Sequence, residues 1–146
     1  MLAFGITGCG GSDSSNEASL TKDQFINRAD AICKEVQESV PKEFERYMKS
    51  RGLKSYRELD ETLAGEGAVA VGVPAYRGQN EEIDELGTPK GDSGEASQFI
   101  EQYEEALDEA EDDFQVLLKP EVGPMKKVAE MAQDYGFATC GQTATS

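Results

Sequence analysis

This 146-residue chain contains no histidine and three cysteines, so its possible nucleophiles, metal ligands and attachment points form a short set. Cys9 closes the run Ile6-Thr7-Gly8-Cys9, an aliphatic residue and two small ones ahead of a thiol. This is the pattern bacterial lipoprotein processing reads: small residues admit the extended backbone to a peptidase, and the thiol takes the lipid as a thioether. The alternative is an accidental match in a disordered N-terminus, because a four-residue motif is short. If Cys9 is lipidated, Cys33 and Cys140 remain as an even pair. In an oxidising compartment they would join and tie the two ends of the domain together. The closed loop spans 107 residues by subtraction, and the chain-entropy model gives such a loop roughly 4.7 kcal/mol as an upper figure. The other reading is two buried free thiols. The spacing excludes a C-x-x-C redox motif, and zinc needs more Cys or His than this chain has.

Carboxylates are abundant. Asp and Glu number 29 against 14 Lys and Arg, a net charge of −15. Residues 81 to 113 hold 14 acids and one base, Lys90, so this stretch supplies −13 of the total. A field of that sign repels phosphate backbones, and nucleic acid is not an expected partner. Glu101, Glu104, Glu105, Asp108, Glu109, Glu111, Asp112 and Asp113 form a candidate acidic interaction face. The plainer reading is a solvated charged face that keeps the protein soluble. Neither these acids nor Glu81-Glu82-Asp84-Glu85 show the D-x-[DN]-x-[DN]-G spacing that wraps oxygens around Ca²⁺, so no metal ligand set is assigned. Without histidine there is no Ser-His-Asp or Cys-His arrangement, and no G-x-x-x-x-G-K-[ST] loop is present. No catalytic residue and no cofactor are expected. A carboxylate-based hydrolase is the one enzymatic chemistry the residue types leave open, and it needs perturbed groups in a cleft.

Helices must position these groups. Thr21 and Gln24 read as a capping box, after which Phe25, Ala29, Ile32, Cys33, Val36 and Val40 fall on one helical face. Pro41 predicts a kink or a restart, with Phe44, Tyr47 and Met48 carrying the face on to Arg51-Gly52. A weaker helical segment runs from Leu53 to Leu63, and Gly65-Glu66-Gly67 is expected to interrupt it. Ala68 to Val73 alternates valine with small residues, which suits a strand or a tightly packed helix. Helix is favoured because no second strand-like run offers a partner. A helix through Tyr76, Ile83 and Leu86 should stop at Gly87. Ser93 is expected to cap a long helix from Ala96 to Leu118, apolar on one face and acidic on the other. A last helix starts near Pro124 and stops at Gly136, with Phe137 packing back. A basic run from Lys42 to Arg57 is expected to lie beside the acidic helix and balance it.

Phe25-x-x-x-Ala29-Asp30-x-Ile32-Cys33, Leu86-x-x-Pro89 with Gly91-Asp92, and Tyr135-Gly136-Phe137-x-x-Cys140 together resemble small actinobacterial-type exported proteins and lipoproteins. The resemblance spans most of residues 20 to 141. It implies that the two cysteines are a structural pair and that the middle of the chain is helical. No activity or ligand comes with it. The expected architecture is all-α, a small bundle of about four to five helices with one disulfide, behind a flexible N-terminal tether. Residues 1–8 lack Lys, Arg and a full apolar run and read as the remnant of a signal peptide, 9–19 as a lipidated tether, 20–141 as the helical domain, and 142–146 as a disordered tail. Function is then expected to be that of a membrane-tethered extracytoplasmic lipoprotein, anchored through lipid on Cys9. The domain reads as a non-enzymatic interaction or structural module, with a basic envelope protein as one partner. The alternative is an extracytoplasmic binding protein for divalent cations or a small ligand.

Overall fold

The computed structural model describes residues 19–142. Cys9, the signal-peptide remnant, nearly all of the tether and residues 143–146 lie outside the described residues. Helix α1 covers Lys22–Ser50 and opens on the expected capping box: Gln24 N–H donates to Thr21 Oγ1, and Thr21 N–H donates to Gln24 Oε1. It does not restart at Pro41, which sits inside one 29-residue helix. The proline ring is exposed, so only a single backbone bond is forfeited. Phe25, Ala29 and Cys33 are buried at four-residue steps, the stripe the sequence predicts.

The next segment differs from expectation. Between Leu53 and Leu63 only one 3₁₀ turn forms, Tyr56–Glu58, and α2 begins at Glu61, where Asp60 Oδ1 accepts the Leu63 N–H. Nor do the glycines interrupt: α2 spans Glu61–Gly67 with Gly65 and Gly67 buried inside it. A Cβ at Gly65 would enter the Phe114 ring, and one at Gly67 would lie 2.6 Å from Phe44 Cε2. These glycines permit close helix packing, at a cost in helix propensity that the contact offsets. Ala68–Gly72 forms a π-helical turn and α3 follows as Val73–Asp84, so residues 61 to 84 make one continuous rod. The valine alternation is thus a packed helix, as favoured.

Gly87, at φ 73°, ends this rod. The Lys90 N–H donates to Leu20 O at 2.7 Å and pins the following loop to the start of the domain. Ser93 makes no cap. Gly94 precedes α4 in the left-handed region, and Asp92 Oδ2 accepts the Ala96 N–H instead. Helix α4 is Glu95–Asp112, shorter than expected, and a separate turn α5, Gln115–Leu118, follows a break at Asp113. Negative charge crowded at the carbonyl end of α4 opposes the helix dipole, and Asp113 Oδ1 takes the Gln115 N–H, which ends one helix and starts the next. Helix α6, Gly123–Tyr135, stops at Gly136 with φ 109°, and Phe137 folds back with its N–H on Ala132 O.

The rods pack in sequence: α1 on α3, α3 on α4, α4 on α6. Phe25 and Ile83 line one cleft, while Gly67 lies against Phe44 and Tyr47, so α1 and α3 run antiparallel. Arg77 meets Glu104 and Glu111 while Asn80 meets Ile100, so α3 and α4 do too. The core centres on Phe25, Ile83, Phe99, Tyr103, Leu107 and Val128. The fold is therefore an all-α bundle closed by one disulfide. No helix among the described residues is long and apolar enough to cross a membrane.

Candidate functional site

Cys33 and Cys140 are bonded, with their Cα atoms 5.2 Å apart. The bond is one part of a larger clasp. Asp30, one turn ahead of Cys33, accepts the N–H groups of Ala138, Thr139 and Cys140 at 2.7 to 2.9 Å. Gln37, one turn beyond, donates to Thr139 O and Gln142 O. Three side chains on one face of α1 thus gather the backbone that follows α6. Phe137 completes the seat, its ring centroid 5.1 Å from that of Phe99 and 4.9 Å from that of Tyr135. A carboxylate in a nest of three amides is a strong, charge-assisted arrangement. It fastens Asp30 and Cys33 to the segment from Phe137 to Cys140, and it is architecture rather than chemistry.

The eight acids of the candidate face do not act alike. Glu104, Asp108 and Glu111 converge on Arg77 of α3, whose Nε lies 2.6 Å from Glu104 and whose Nη1 lies 2.7 Å from Glu111; Nη2 bonds Asp108. Glu111 first and Glu104 next hold the guanidinium still more firmly protonated than usual. Asn80 donates to the second oxygen of Glu104 and to Ile100 O. Glu101, Glu105, Glu109, Asp112 and Asp113 remain exposed and form no ion pair among the described residues. The first three recur at four-residue intervals, a stripe along one side of α4.

The expected balance from Lys42 to Arg57 does not form. Among the described residues its one ion pair is local, Lys49 with Glu45, which draws the Glu45 carboxyl below its ordinary range. Helix α3 packs on both α1 and α4, and α1 meets α4 at its first turn, where Lys22 pairs with Glu95, rather than along the basic run; Arg77 of α3 pairs with the acids instead. The signal was available: Arg77 is the one basic residue between Arg57 and Lys90.

The basic and acidic elements do approach at one place. An open cleft of about 510 Å³ is lined by Tyr47 and Arg51 of α1, Glu66 of α2, Val69 and Ala70 of the π turn, Glu111 and Asp112 of α4, and Phe114. No single window of sequence announces it, because its walls come from three separated stretches of chain, 47–51, 66–70 and 111–114. A smaller cavity, about 140 Å³, lies between Glu95, Gln98, Met131, Asp134 and Tyr135. No group of three or more Cys, Asp or Glu among the described residues is arranged to hold a metal ion. Comparison with protein-family models, curated proteins and solved structures finds no match to this chain.

Proposed function

We propose that this chain is an extracytoplasmic lipoprotein anchored by lipid on Cys9, whose helical domain is a non-enzymatic interaction module for a basic partner in the envelope. The observation that carries the reading is the Cys33–Cys140 bond. Such a bond persists in oxidising compartments, and using these two leaves Cys9, at the head of a Gly/Ser-rich segment, as the odd cysteine. The exposed stripe Glu101, Glu105 and Glu109 supplies the face, since Arg77 pairs with Glu104, Asp108 and Glu111 and leaves these three unpaired. The test is detergent partitioning with a complete signal peptide upstream. The native protein enters the detergent phase and Cys9→Ala stays aqueous; identical partitioning would end the lipoprotein reading. Cross-linking on intact cells then identifies the partner, and reversal of the three stripe acids to Lys abolishes its capture.

A second reading, a small-ligand binding protein, is favoured by the cleft between α1, the π turn and α4. Its volume falls within the usual range for ligand sites. Divalent cations have no comparable support among the described residues.

A further inference from the structure

The cleft joins features that are separately unremarkable. Its lining mixes the apolar and aromatic side chains of Tyr47, Val69, Ala70 and Phe114 with charged groups of both signs. Arg51 is the one basic lining residue, its guanidinium carbon 5.2 Å from the Tyr47 ring centroid and without an ion pair among the described residues. Glu66 and Asp112 line it too, exposed and likewise without an ion pair among the described residues, while the third acid, Glu111, is already held by Arg77. The Tyr47 hydroxyl is buried and has no hydrogen-bond partner. Val69 and Ala70 come from the π turn Ala68–Gly72, a widened helical turn of a kind that recurs at functional sites.

Specialising the small-ligand reading, we infer that this cleft binds a zwitterion with an apolar body, of the amino-acid type. Its ammonium is received by Glu66 and Asp112, its carboxylate by Arg51, and its side chain by Phe114 and Tyr47. Charge complementarity selects this class. A simple anion meets two free carboxylates, and a simple cation leaves Arg51 unanswered. An uncharged apolar molecule would leave all three charges half-desolvated and unpaired. The inference does not depend on the lipid anchor, so failure of the partitioning test leaves it standing, and its own failure leaves the tethered module standing.

The experiment uses the full chain with its disulfide intact, titrated at physiological salt with three probes sharing one ring: phenylalanine, phenethylamine and 3-phenylpropionate. Phenylalanine is expected to saturate at one site, phenethylamine to bind more weakly, and 3-phenylpropionate not to bind. Glu66→Gln with Asp112→Asn should weaken phenylalanine by about tenfold or more, the loss of roughly 1.4 kcal/mol or more. Arg51→Gln should remove the advantage of phenylalanine over phenethylamine while leaving phenethylamine unchanged. Glu81→Gln with Glu82→Gln, at an acidic site away from the cleft, should change nothing. Melting curves confirm that each variant folds, and should one not fold, the probe series on the unaltered chain still decides. Absence of saturable binding, equal binding of 3-phenylpropionate, or equal loss in the Glu81 and Glu82 variant overturns the inference.

Discussion

Cys140 is fastened to α1 twice: its sulfur is bonded to Cys33, and its N–H donates to Asp30 Oδ1 at 2.9 Å. The hydrogen bonds place the backbone of residues 138–140, and the covalent bond locks what they have placed. Asp30→Ala strands three amides that lose a charged acceptor, and we expect it to cost about 2–4 kcal/mol in the oxidised protein. Cys33→Ser should cost about 2–5 kcal/mol, as loss of a native bridge from a small domain does. Because both changes free the same segment, the double variant should fall short of the sum, and denaturant unfolding of the cycle measures the coupling. Strict additivity would show that the two fastenings are independent.

Arg77 is the hinge of the acidic helix. Arg77→Met keeps most of the apolar stem and leaves Glu104, Asp108 and Glu111 facing one another, so stability should drop by about 1–2 kcal/mol at low salt. Added salt should recover much of the loss, since screening acts within about 10 Å at 0.1 M. By contrast, reversing Lys42, Arg46 and Lys49 to Glu should change stability little, because none of them reaches α4. Melting temperatures across a salt series check both.

The apolar stripe of α1 and the stop at Gly136 are legible because each depends on local pattern, whereas Ala68 to Val73 suits strand or helix locally and reads as helix because no second strand-like run offers a partner. Phe25, Ala29 and Cys33 announce their face by spacing alone. In sequence Gly65 and Gly67 look like breakers, because the reason for them lies elsewhere in the chain, in the rings of Phe114 and Phe44. The early end of α4 was hidden for a related reason: apolar periodicity continues through Phe114 and Leu117, while the accumulated charge that stops the helix is a different signal on the same residues. The Asp30 nest and the cleft, built from three distant stretches of chain, depend on tertiary closure, which no window of sequence contains.

Gly65 allows a sharp test of that closeness. Its Cβ would penetrate the ring of Phe114, whose backbone is fixed between α4 and α5. Gly65→Ala gains about 1 kcal/mol of helix propensity and should nevertheless destabilise by about 1–3 kcal/mol through overpacking. In a Phe114→Leu background the penalty should shrink or reverse, measurable as coupling in a double-mutant cycle.

The tyrosines predict the alkaline limit of the fold. Burial first, then the charges of Asp92 and Glu95, push the Tyr135 hydroxyl up to about 12 from 10.0, and burial raises Tyr103 further, with Tyr76 adding and a hydrogen bond to Gln79 opposing. In both, the folded state holds the proton more tightly than the unfolded chain, so their contribution is complete below pH 10 and declines as pH rises through the interval to about 12. Stability should therefore fall with pH above 10, and part of the tyrosinate absorbance should appear only together with loss of helical circular dichroism. Tyr135 adds a second consequence, because its hydroxyl is buried with no hydrogen-bond partner. Tyr135→Phe removes an unsatisfied polar group, so it should leave neutral-pH stability unchanged or raise it by up to about 1 kcal/mol. It should also flatten the alkaline decline. A loss of stability at pH 7 in that variant would mean the hydroxyl is satisfied after all, and an unchanged alkaline slope would mean Tyr135 ionises freely in the folded protein.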